Sequence, residues 1–226
     1  MGENFEREGM SFKPYYQDSH VTIYHGDCRE ILPTLPKHDL LLTDPPYGIG
    51  ESSKKQKTRQ GHGLASQRDY GDYSWDATVC EAGVENGIDK SKNQIIFGGN
   101  YYMLMPSSCW LVWDKDNGET DFADCELAWT SFNKAVRKFK WKWQGMLQEQ
   151  MGEKKEPRVH PTQKPIALFR WCLSFAPDAQ TILDPFAGSC TTGVAAKLEG
   201  RKATLIELEE RYCEIGANRL SQGVLF

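Results

Sequence analysis

A strand–turn–helix–strand unit is predicted by residues 181–207, TILDPFAGSCTTGVAAKLEGRKATLIE. Thr181–Leu183 and Ala203–Ile206 are short apolar runs of strand length, and Thr192–Glu199 between them has the spacing of a helix. Two strands that are joined through a helix run parallel in one sheet. The unit therefore predicts an α/β fold.

The same alternation of strand and helix patterns extends over the rest of the chain. The sequence predicts strands at Val21–Tyr24, Asp39–Thr43, Gln94–Phe97 and Trp110–Trp113, and helices at Arg29–Leu35, Pro165–Ala176 and Glu210–Leu220. Such alternation is typical of a largely parallel sheet covered by helices, which binds ligands at the carboxyl ends of its strands. Without an internal repeat or a long linker, residues 1–226 are expected to form a single domain.

The composition is that of a globular protein. Of the 226 residues, 39% are hydrophobic and 26% are charged, which excludes a disordered chain and a fibrous repeat. No apolar run is long enough to cross a bilayer and the N-terminus is polar, so we expect a cytoplasmic protein with no membrane partner. The seven cysteines form no CxxC pair, which predicts free thiols and no metal site.

Acidic residues follow four of the predicted strands. They are Asp27, Asp44, Asp184 and Glu207. Because the carboxyl ends of parallel strands meet at one rim, we expect these side chains to converge where a cofactor with positive charge and hydroxyl groups is held. Gly188, in the turn after Asp184, would allow a sharp bend or the close approach of a ligand to the backbone.

The motif Asp44-Pro45-Pro46-Tyr47 follows a predicted apolar strand directly. Two prolines end a strand and rigidify a turn, so the motif is either a strand-ending turn or a catalytic unit. A carboxylate and a fixed carbonyl that accept both N–H bonds of a nucleobase amino group favour the pyramidal nitrogen that attacks a methyl donor. An aromatic ring beside them would stack on a base rotated out of the duplex. Asp44, the Pro45 carbonyl and Tyr47 therefore predict one catalytic unit.

Three separated motifs carry a resemblance to a known family. They are Asp44-Pro45-Pro46-Tyr47, His160-Pro161-Thr162-Gln163-Lys164-Pro165 and Asp184-Pro185-Phe186-Ala187-Gly188-Ser189, in that order. With this set the chain resembles, from about Val21 to Leu220, the β class of S-adenosylmethionine-dependent DNA amino-methyltransferases. In that class the catalytic motif precedes the cofactor motif, a circularly permuted order. The resemblance implies a Rossmann-like methyltransferase fold with a mostly parallel, seven-stranded sheet.

The resemblance also implies a pocket for S-adenosylmethionine. Its expected residues include Asp184, Phe186, Ala187, Gly188, Ser189 and Thr191, although Thr191 or Thr192 could instead cap the following helix. Glu207 is expected on the ribose hydroxyls, and the acidic turn Asp27-Cys28 near the adenine. Lys164 is expected to face the methionine end, where its ammonium would pair with the carboxylate.

The implied reaction is transfer of a methyl group to an exocyclic amino group in double-stranded DNA, with no metal. Asp44 at the first motif position favours adenine N6, because serine there more often accompanies cytosine N4, which stays the alternative. Cys190 stands where the family more often has glycine, which leaves open a catalytically silent DNA-binding relative. A nicotinamide-dependent dehydrogenase is disfavoured, because no GxGxxG sequence opens the first helix.

Two polar sections, about residues 48–75 and 116–152, are the expected DNA-recognition insertions. The first contains Lys54, Lys55, Lys57 and Arg59, and the second contains Lys134, Arg137, Lys138, Lys140 and Lys142 with Trp141 and Trp143 between them. The cations would contact phosphates, or else form a solvated loop and a solvated helix face. The tryptophans would stack on bases or pack in the core. The class further implies a role in restriction–modification and, commonly, a homodimer.

Overall fold

The computed structural model describes residues 12–49, 79–118, 123–144, 147–152, 155–160 and 162–222. Lys54, Lys55, Lys57 and Arg59, with nearly all of the first expected DNA-recognition section, lie outside the described residues. Within these ranges the chain has three layers, in which helices cover both faces of one sheet.

Eleven strands are formed by the described residues. They are β1 (Tyr16–Gln17), β2 (Val21–His25), β3 (His38–Thr43), β4 (Ser91–Phe97), β5 (Trp110–Asp114), β6 (Cys125–Thr130), β7 (Arg137–Lys140), β8 (Trp143–Gln144), β9 (Leu147–Gln148), β10 (Thr181–Asp184) and β11 (Lys202–Glu207). Nine of them make the main sheet, in the order β1-β2-β11-β10-β3-β4-β6-β5-β7. The other two, β8 and β9, form a small antiparallel sheet.

The main sheet is mostly parallel. Neighbours β2, β11, β10, β3 and β4 all run in one direction, and β6 runs antiparallel between β4 and β5. The predicted parallel α/β sheet is confirmed, and the strands from β2 to β5 match the expected seven. β1 and β7 extend the two edges. The sequence pattern did not indicate them, because β1 has two residues and β7 is mostly exposed.

Five α-helices occur in the described part of the chain. They are α1 (Cys28–Ile31), α2 (Glu81–Asp89), α3 (Ile166–Leu173), α4 (Thr191–Leu198) and α5 (Glu210–Ser221), with short 3₁₀ turns at Leu32–Thr34 and Gly99–Tyr101. α1 and α2 pack on one face of the sheet, and α3, α4 and α5 on the other. None of these helices has the length and apolar character that crossing a bilayer requires.

The central strands are apolar on both faces. In β3, Leu40, Leu41 and Leu42 are all fully buried. Leu40 and Leu42 join the core beneath α3, α4 and α5, whereas Leu41 joins the core beneath α1 and α2, because successive strand side chains alternate. A strand that is covered on both faces has a continuous apolar sequence, which explains why these strands were predictable.

The second expected insertion is part of the sheet. β6 lies between β4 and β5, and Arg137–Lys140 is an edge strand rather than a solvated helix face. Trp143 is buried and donates its indole N–H to the Gln163 carbonyl at 2.8 Å, and Trp141 packs against the core. Core packing therefore accounts for Trp143, whereas Trp141 is partly buried and its expected contact with bases stays a prediction.

Candidate active site

The carboxyl ends of β2, β3, β10 and β11 surround a cavity of about 450 Å³. The parallel pairing of β3 with β10 brings the Asp44 and Asp184 motifs together, although they are far apart in the sequence. Of the predicted site residues, those that line the cavity are Asp27, Cys28, Asp44, Pro46, Lys164, Asp184, Phe186, Ala187, Gly188, Ser189, Thr191 and Glu207. Pro45 and Tyr47 are not among the lining residues, although Asp44 and Pro46 of the same motif are.

Asp184 links the turn that follows β10 to β3 and to the start of α4. Its Oδ1 accepts hydrogen bonds from Thr43 Oγ1 at 2.7 Å and from the Phe186 N–H at 3.1 Å. Its Oδ2 accepts one from Thr192 Oγ1 at 2.5 Å. Burial raises the pKa of Asp184 to about 6. Asp184 thus ties together β3, the turn and the start of α4.

Glu207 holds the same turn from the neighbouring strand. Its Oε2 accepts a hydrogen bond from the Gly188 N–H at 2.7 Å, and its Oε1 accepts one from the Glu209 N–H at 2.9 Å. Burial raises the pKa of this carboxyl to about 7. Gly188 has a φ of +51°, a left-handed conformation that favours glycine, in agreement with the sharp turn predicted at this position.

Cys190 does not narrow the cavity. It is the N-cap of α4 with a φ of 62°, is fully buried, and is not among the lining residues. Its thiol points into the core toward Gly216 of α5. Neither Thr191 nor Thr192 caps the helix, so that alternative is wrong: both start α4, and Thr192 bonds Asp184 instead.

The acidic turn after β2 also lines the cavity. Asp27 caps α1 by accepting a hydrogen bond from the Arg29 N–H at 2.8 Å, and it also pairs with the Arg29 guanidinium at 2.5 Å. That ion pair lowers the pKa of Asp27. Cys28 is buried at the start of α1, and Phe186 packs against Gly83 of α2. α1 and α2 therefore complete the cavity wall.

The Asp44-Pro45-Pro46-Tyr47 motif is held in place by hydrogen bonds and by aromatic contacts. The Tyr47 hydroxyl donates to Asp44 Oδ1 at 2.5 Å, and its ring stacks on Tyr101 with centroids 5.0 Å apart and planes inclined by 15°. Gly98, with a φ of +63°, leaves the space that the Tyr47 ring occupies. The Tyr102 hydroxyl donates to the Pro46 carbonyl at 2.5 Å. Tyr47 is thus held beside Asp44 at the rim.

Lys164 contacts two residues of the Asp44-Pro45-Pro46-Tyr47 motif. Its Nζ contacts Asp44 Oδ2, lies 3.0 Å from Glu126 Oε2 and donates to the Tyr47 hydroxyl at 3.4 Å. Burial opposes its charged form, but the charges of Asp44 and Glu126 raise the pKa of Lys164 above its usual value. Lys164 also lines the cavity, and its expected pairing with a methionine carboxylate stays a prediction.

Burial and charge act in opposite directions on the two acids beside Lys164. Burial raises the pKa of Asp44 against the charge of Lys164. Burial would also raise the pKa of Glu126, but the charges of Lys164 and Lys115 prevail and lower it to about 2. Among the residues described, no three His, Cys, Asp or Glu side chains gather as a metal site would require.

Comparison with known proteins agrees with this geometry. The N6/N4 methyltransferase family model, described as DNA methylase, matches residues 84–218, which is more than half of the chain. The chain belongs to this DNA methylase family. The resemblance that the three motifs suggested is confirmed.

Curated relatives of the methylase align over most of its length. The Type II methyltransferase M.HinfI of Haemophilus influenzae is 28% identical, over 89% of this chain and 68% of that protein. M.ScaI of Streptomyces caespitosus is 27% identical, over 92% and 84% of the two chains. M2.LlaDCHI of Lactococcus lactis subsp. cremoris is 26% identical, over 95% and 94%.

Solved structures share the fold of the methylase. The crystal structure of the M1.HpyAVI–SAM complex superposes with a TM-score of 0.52 at 22% identity, over 88% of this chain and 99% of that one. The PvuII DNA methyltransferase, described as cytosine-N4-specific, superposes with a TM-score of 0.58 at 16% identity, over 96% and 92%. The Rossmann-like methyltransferase fold is therefore confirmed.

Two residues outside the cavity lining, Arg219 and Glu156, support the turn that contains Ser189, and the sequence pattern did not indicate them. Arg219 of α5 donates to the Ser189 carbonyl at 2.5 Å and to Ser189 Oγ at 3.1 Å, and pairs with Glu156 at 3.2 Å. Glu156 also accepts a hydrogen bond from the Ile166 N–H at 3.0 Å. This bridge joins α5, the cofactor turn and the start of α3. No motif marks Arg219 or Glu156, since their contacts are between distant parts of the chain.

The basic side chains near the β5–β7 edge are partly committed to ion pairs. Lys138 pairs with Asp114 at 3.1 Å, and Lys140 pairs with Asp116 at 2.9 Å. Both lysines remain largely exposed. They are still accessible to a polyanion, and their expected role in DNA contact stays a prediction.

Proposed function

We propose that this DNA methylase is a site-specific enzyme that transfers the methyl group of S-adenosylmethionine to the N6 amino group of adenine in double-stranded DNA. The observation that carries the proposal is the position of Asp44. Its carboxylate lies at the cavity wall, hydrogen bonded to Tyr47 at 2.5 Å, immediately before the Pro45 carbonyl. A carboxylate, a carbonyl and an aromatic ring therefore meet beside a cavity that suits the cofactor.

The cavity fits S-adenosylmethionine, which is the cofactor of this enzyme. A volume of about 450 Å³ is within the roughly 300–1,000 Å³ of small-molecule sites. The expected cofactor is supported by the family and by M1.HpyAVI, whose structure is a complex with SAM. Phe186, Gly188 and Ser189 would hold it along the turn, with Glu207 at the ribose and Asp27 near the adenine. When bound, it supplies an electrophilic methyl group on its sulfonium.

Asp44 and Pro45 supply the hydrogen-bond acceptors for the target amino group. The Tyr102 hydroxyl donates to the Pro46 carbonyl, so that carbonyl is already engaged. Acceptance of the two amino N–H bonds by Asp44 and Pro45 localises the nitrogen lone pair, an interaction that is stronger in the transition state than before it. Tyr47 offers its ring to the extruded base.

Adenine is favoured over cytosine by the first residue of the motif. Asp44 occupies the position at which the adenine-modifying members of the β class mostly carry aspartate. The PvuII enzyme, whose fold is shared, is described as cytosine-N4-specific, so N4 methylation of cytosine is the second candidate. Both reactions use the same acceptors at Asp44 and Pro45.

The location of Cys190 argues for an active enzyme rather than a silent DNA-binding relative. Cys190 places a side chain where the family more often has glycine. That side chain is directed toward Gly216 and is absent from the cavity lining, so the cofactor turn is left open. The curated relatives of this chain are Type II methyltransferases, and we infer a role in restriction–modification for this chain as well.

The test is methyl transfer from labelled S-adenosylmethionine to unmethylated genomic DNA, followed by mass spectrometry of the nucleosides. N6-methyladenine is the expected product. N4-methylcytosine would keep the chemistry and change the base. A protein that binds S-adenosylmethionine but leaves DNA unmethylated would contradict the proposal, and RNA or protein would then be tested as acceptor. Asp44→Ala, which removes the carboxylate, is the matched inactive variant.

A further inference from the structure

Four side chains of alternating charge lead away from the cavity. They are Asp44, Lys164, Glu126 and Lys115. Lys164 contacts Asp44 and lies 3.0 Å from Glu126 Oε2, and Lys115 contacts the other oxygen of Glu126, Oε1. Asp44 and Lys164 line the cavity, but Glu126 and Lys115 do not. Glu126 therefore cannot contact a ligand in the cavity, and it acts on the reaction through Lys164 and through the effect of its charge on Asp44.

The Lys164 ammonium is shared between two carboxylates. Its side chain is only 6% exposed, so water screens its charge weakly and the neighbouring anions determine where it lies. The ring of Phe97, with its centroid 5.2 Å from Nζ, also faces it. If Asp44 were the single anion in reach, the ammonium would neutralise Asp44. Glu126 on the other side draws the ammonium in the opposite direction.

We propose that Glu126, backed by Lys115, is a positioning residue that shares the Lys164 ammonium with Asp44, so that Asp44 keeps more of the negative charge with which it accepts the nucleobase N–H. The inference rests on the proposed function, because it assigns Glu126 a part in the same methyl transfer. Lys115 balances Glu126 at its second oxygen and keeps it ionised in a largely buried position. The sequence offers no signal for this, since Glu126 and Lys115 lie on β6 and after β5, outside every motif.

Removal of the charge of Glu126 and removal of the charge of Lys115 have opposite effects on the pKa of Asp44. The groups that face Asp44 are Lys164, Tyr47 and Glu126, and Asp184 is near enough for the two charges to interact. Glu126→Gln removes an anion that raises the pKa of Asp44, so that pKa falls. Lys115→Gln leaves the charge of Glu126 unbalanced, so the pKa of Asp44 rises. On the acid side of the pH–rate profile the rate falls as Asp44 becomes protonated. The two variants should move this acid limb in opposite directions.

The experiment measures single-turnover methyl transfer to unmethylated genomic DNA as a function of pH, because product release can limit the steady-state rate. Glu126→Gln should lower the plateau rate roughly 10-fold, less than the 100-fold or greater loss expected when a directly acting group is removed. Its acid limb should move to lower pH, and that of Lys115→Gln to higher pH. Glu199→Gln, which breaks the exposed ion pair with Arg170, is the matched control and should leave the rate and limb unchanged.

Affinity for S-adenosylmethionine and the melting temperature are measured for each variant. Glu126 does not line the cavity, so the affinity should stay near the wild-type value. Limbs that stay in place, or that move in the same direction in both variants, would overturn the inference while the wild type still methylates DNA. If Glu126→Gln does not fold, the direction of the Lys115→Gln shift decides. A wild type that never methylates DNA would refute the proposed function itself, and the inference with it.

Discussion

The thiol of Cys190 occupies the space that a side chain on Gly216 would need. A Cβ atom built on Gly216 would lie 2.3 Å from Cys190 Sγ and 3.0 Å from Cys190 Cβ. Cys190 adopts a φ of 62°, a conformation that glycine tolerates better than cysteine. Cys190 and Gly216 thus complement each other across α4 and α5.

Gly216→Ala should destabilise the protein, because the new methyl group overlaps a buried thiol. Overpacking of this kind costs about 1–3 kcal/mol in the free energy of unfolding. Cys190→Gly in the same chain removes the overlap and should restore most of the loss. Urea unfolding of the wild type, both single variants and the double variant gives the coupling between the two positions. Additive effects would show that the two residues act independently.

Asp44→Asn should nearly abolish methyl transfer while the protein still binds S-adenosylmethionine. The substitution keeps the shape of the side chain but removes the charge that stabilises the developing cation on the amino nitrogen. A loss of roughly 100-fold to 1,000-fold in the single-turnover rate is expected for such a group. Labelled methyl transfer and cofactor titration measure the two properties separately.

Asp178→Asn is a matched control for that experiment, because Asp178 is exposed in a turn remote from the catalytic motif. It should behave as the wild type in both measurements. Full turnover in Asp44→Asn would exclude the assigned role. Equal losses of turnover and cofactor affinity would instead assign Asp44 to the cofactor pocket.

The strands that carry the motifs could be predicted from the sequence, because they are buried on both faces. β3, β10 and β11 have short, nearly continuous apolar runs, and an acidic residue follows or ends each of them. In a parallel sheet this places Asp44, Asp184 and Glu207 on one rim. The apolar pattern of the strands and the motif resemblance were therefore sufficient to predict that these residues meet at one cavity.

The elements β6, β7 and α2 have weaker sequence patterns than the strands that carry the motifs. β6 has three partly or fully exposed residues before its buried end, and β7 is an exposed edge strand of mainly basic residues. α2 contains Gly83 and Gly87, which are poor helix formers, and it was not predicted. These elements form because tertiary contacts outweigh local preference.

The supporting contacts of the site were not predictable from spacing along the chain. Arg219 reaches Ser189 from α5, and Glu126 reaches Lys164 from β6. Neither pair belongs to one local pattern. Lys164 itself was recognised within its motif, but its contact with Asp44 became evident only from the folded arrangement.

Tyr101→Ala should weaken the use of DNA without changing cofactor binding. Tyr101 is 44% exposed and stacks on Tyr47, so its ring fixes the orientation of the surface offered to the extruded base. An aromatic pair contributes about 0.5–1.5 kcal/mol, which predicts a loss of roughly 2-fold to 13-fold in kcat/KM for DNA. Tyr101→Phe retains the stacked ring and should keep nearly the full value. An unchanged kcat/KM in Tyr101→Ala would show that the stack has no part in base binding.

The affinity for S-adenosylmethionine should rise with pH through about 7, because burial raises the pKa of Glu207 to about that value. Ribose hydroxyls donate to the ionised carboxylate, so binding favours loss of the proton and releases it to the buffer. Below this pKa, Glu207 is mostly protonated in the free protein. Binding must then remove the proton, and the free energy that this costs lowers the net affinity.

Calorimetric titrations in buffers of different ionisation enthalpy measure the number of protons released. That number should be largest below pH 7 and approach zero above it, with the sign set by the raised pKa of Glu207. Glu207→Gln removes the titrating group and should give weaker binding that no longer varies with pH in this range. Retention of the pH dependence in Glu207→Gln would assign the proton to another group, of which Asp184, with a pKa of about 6, is the nearest candidate in the turn.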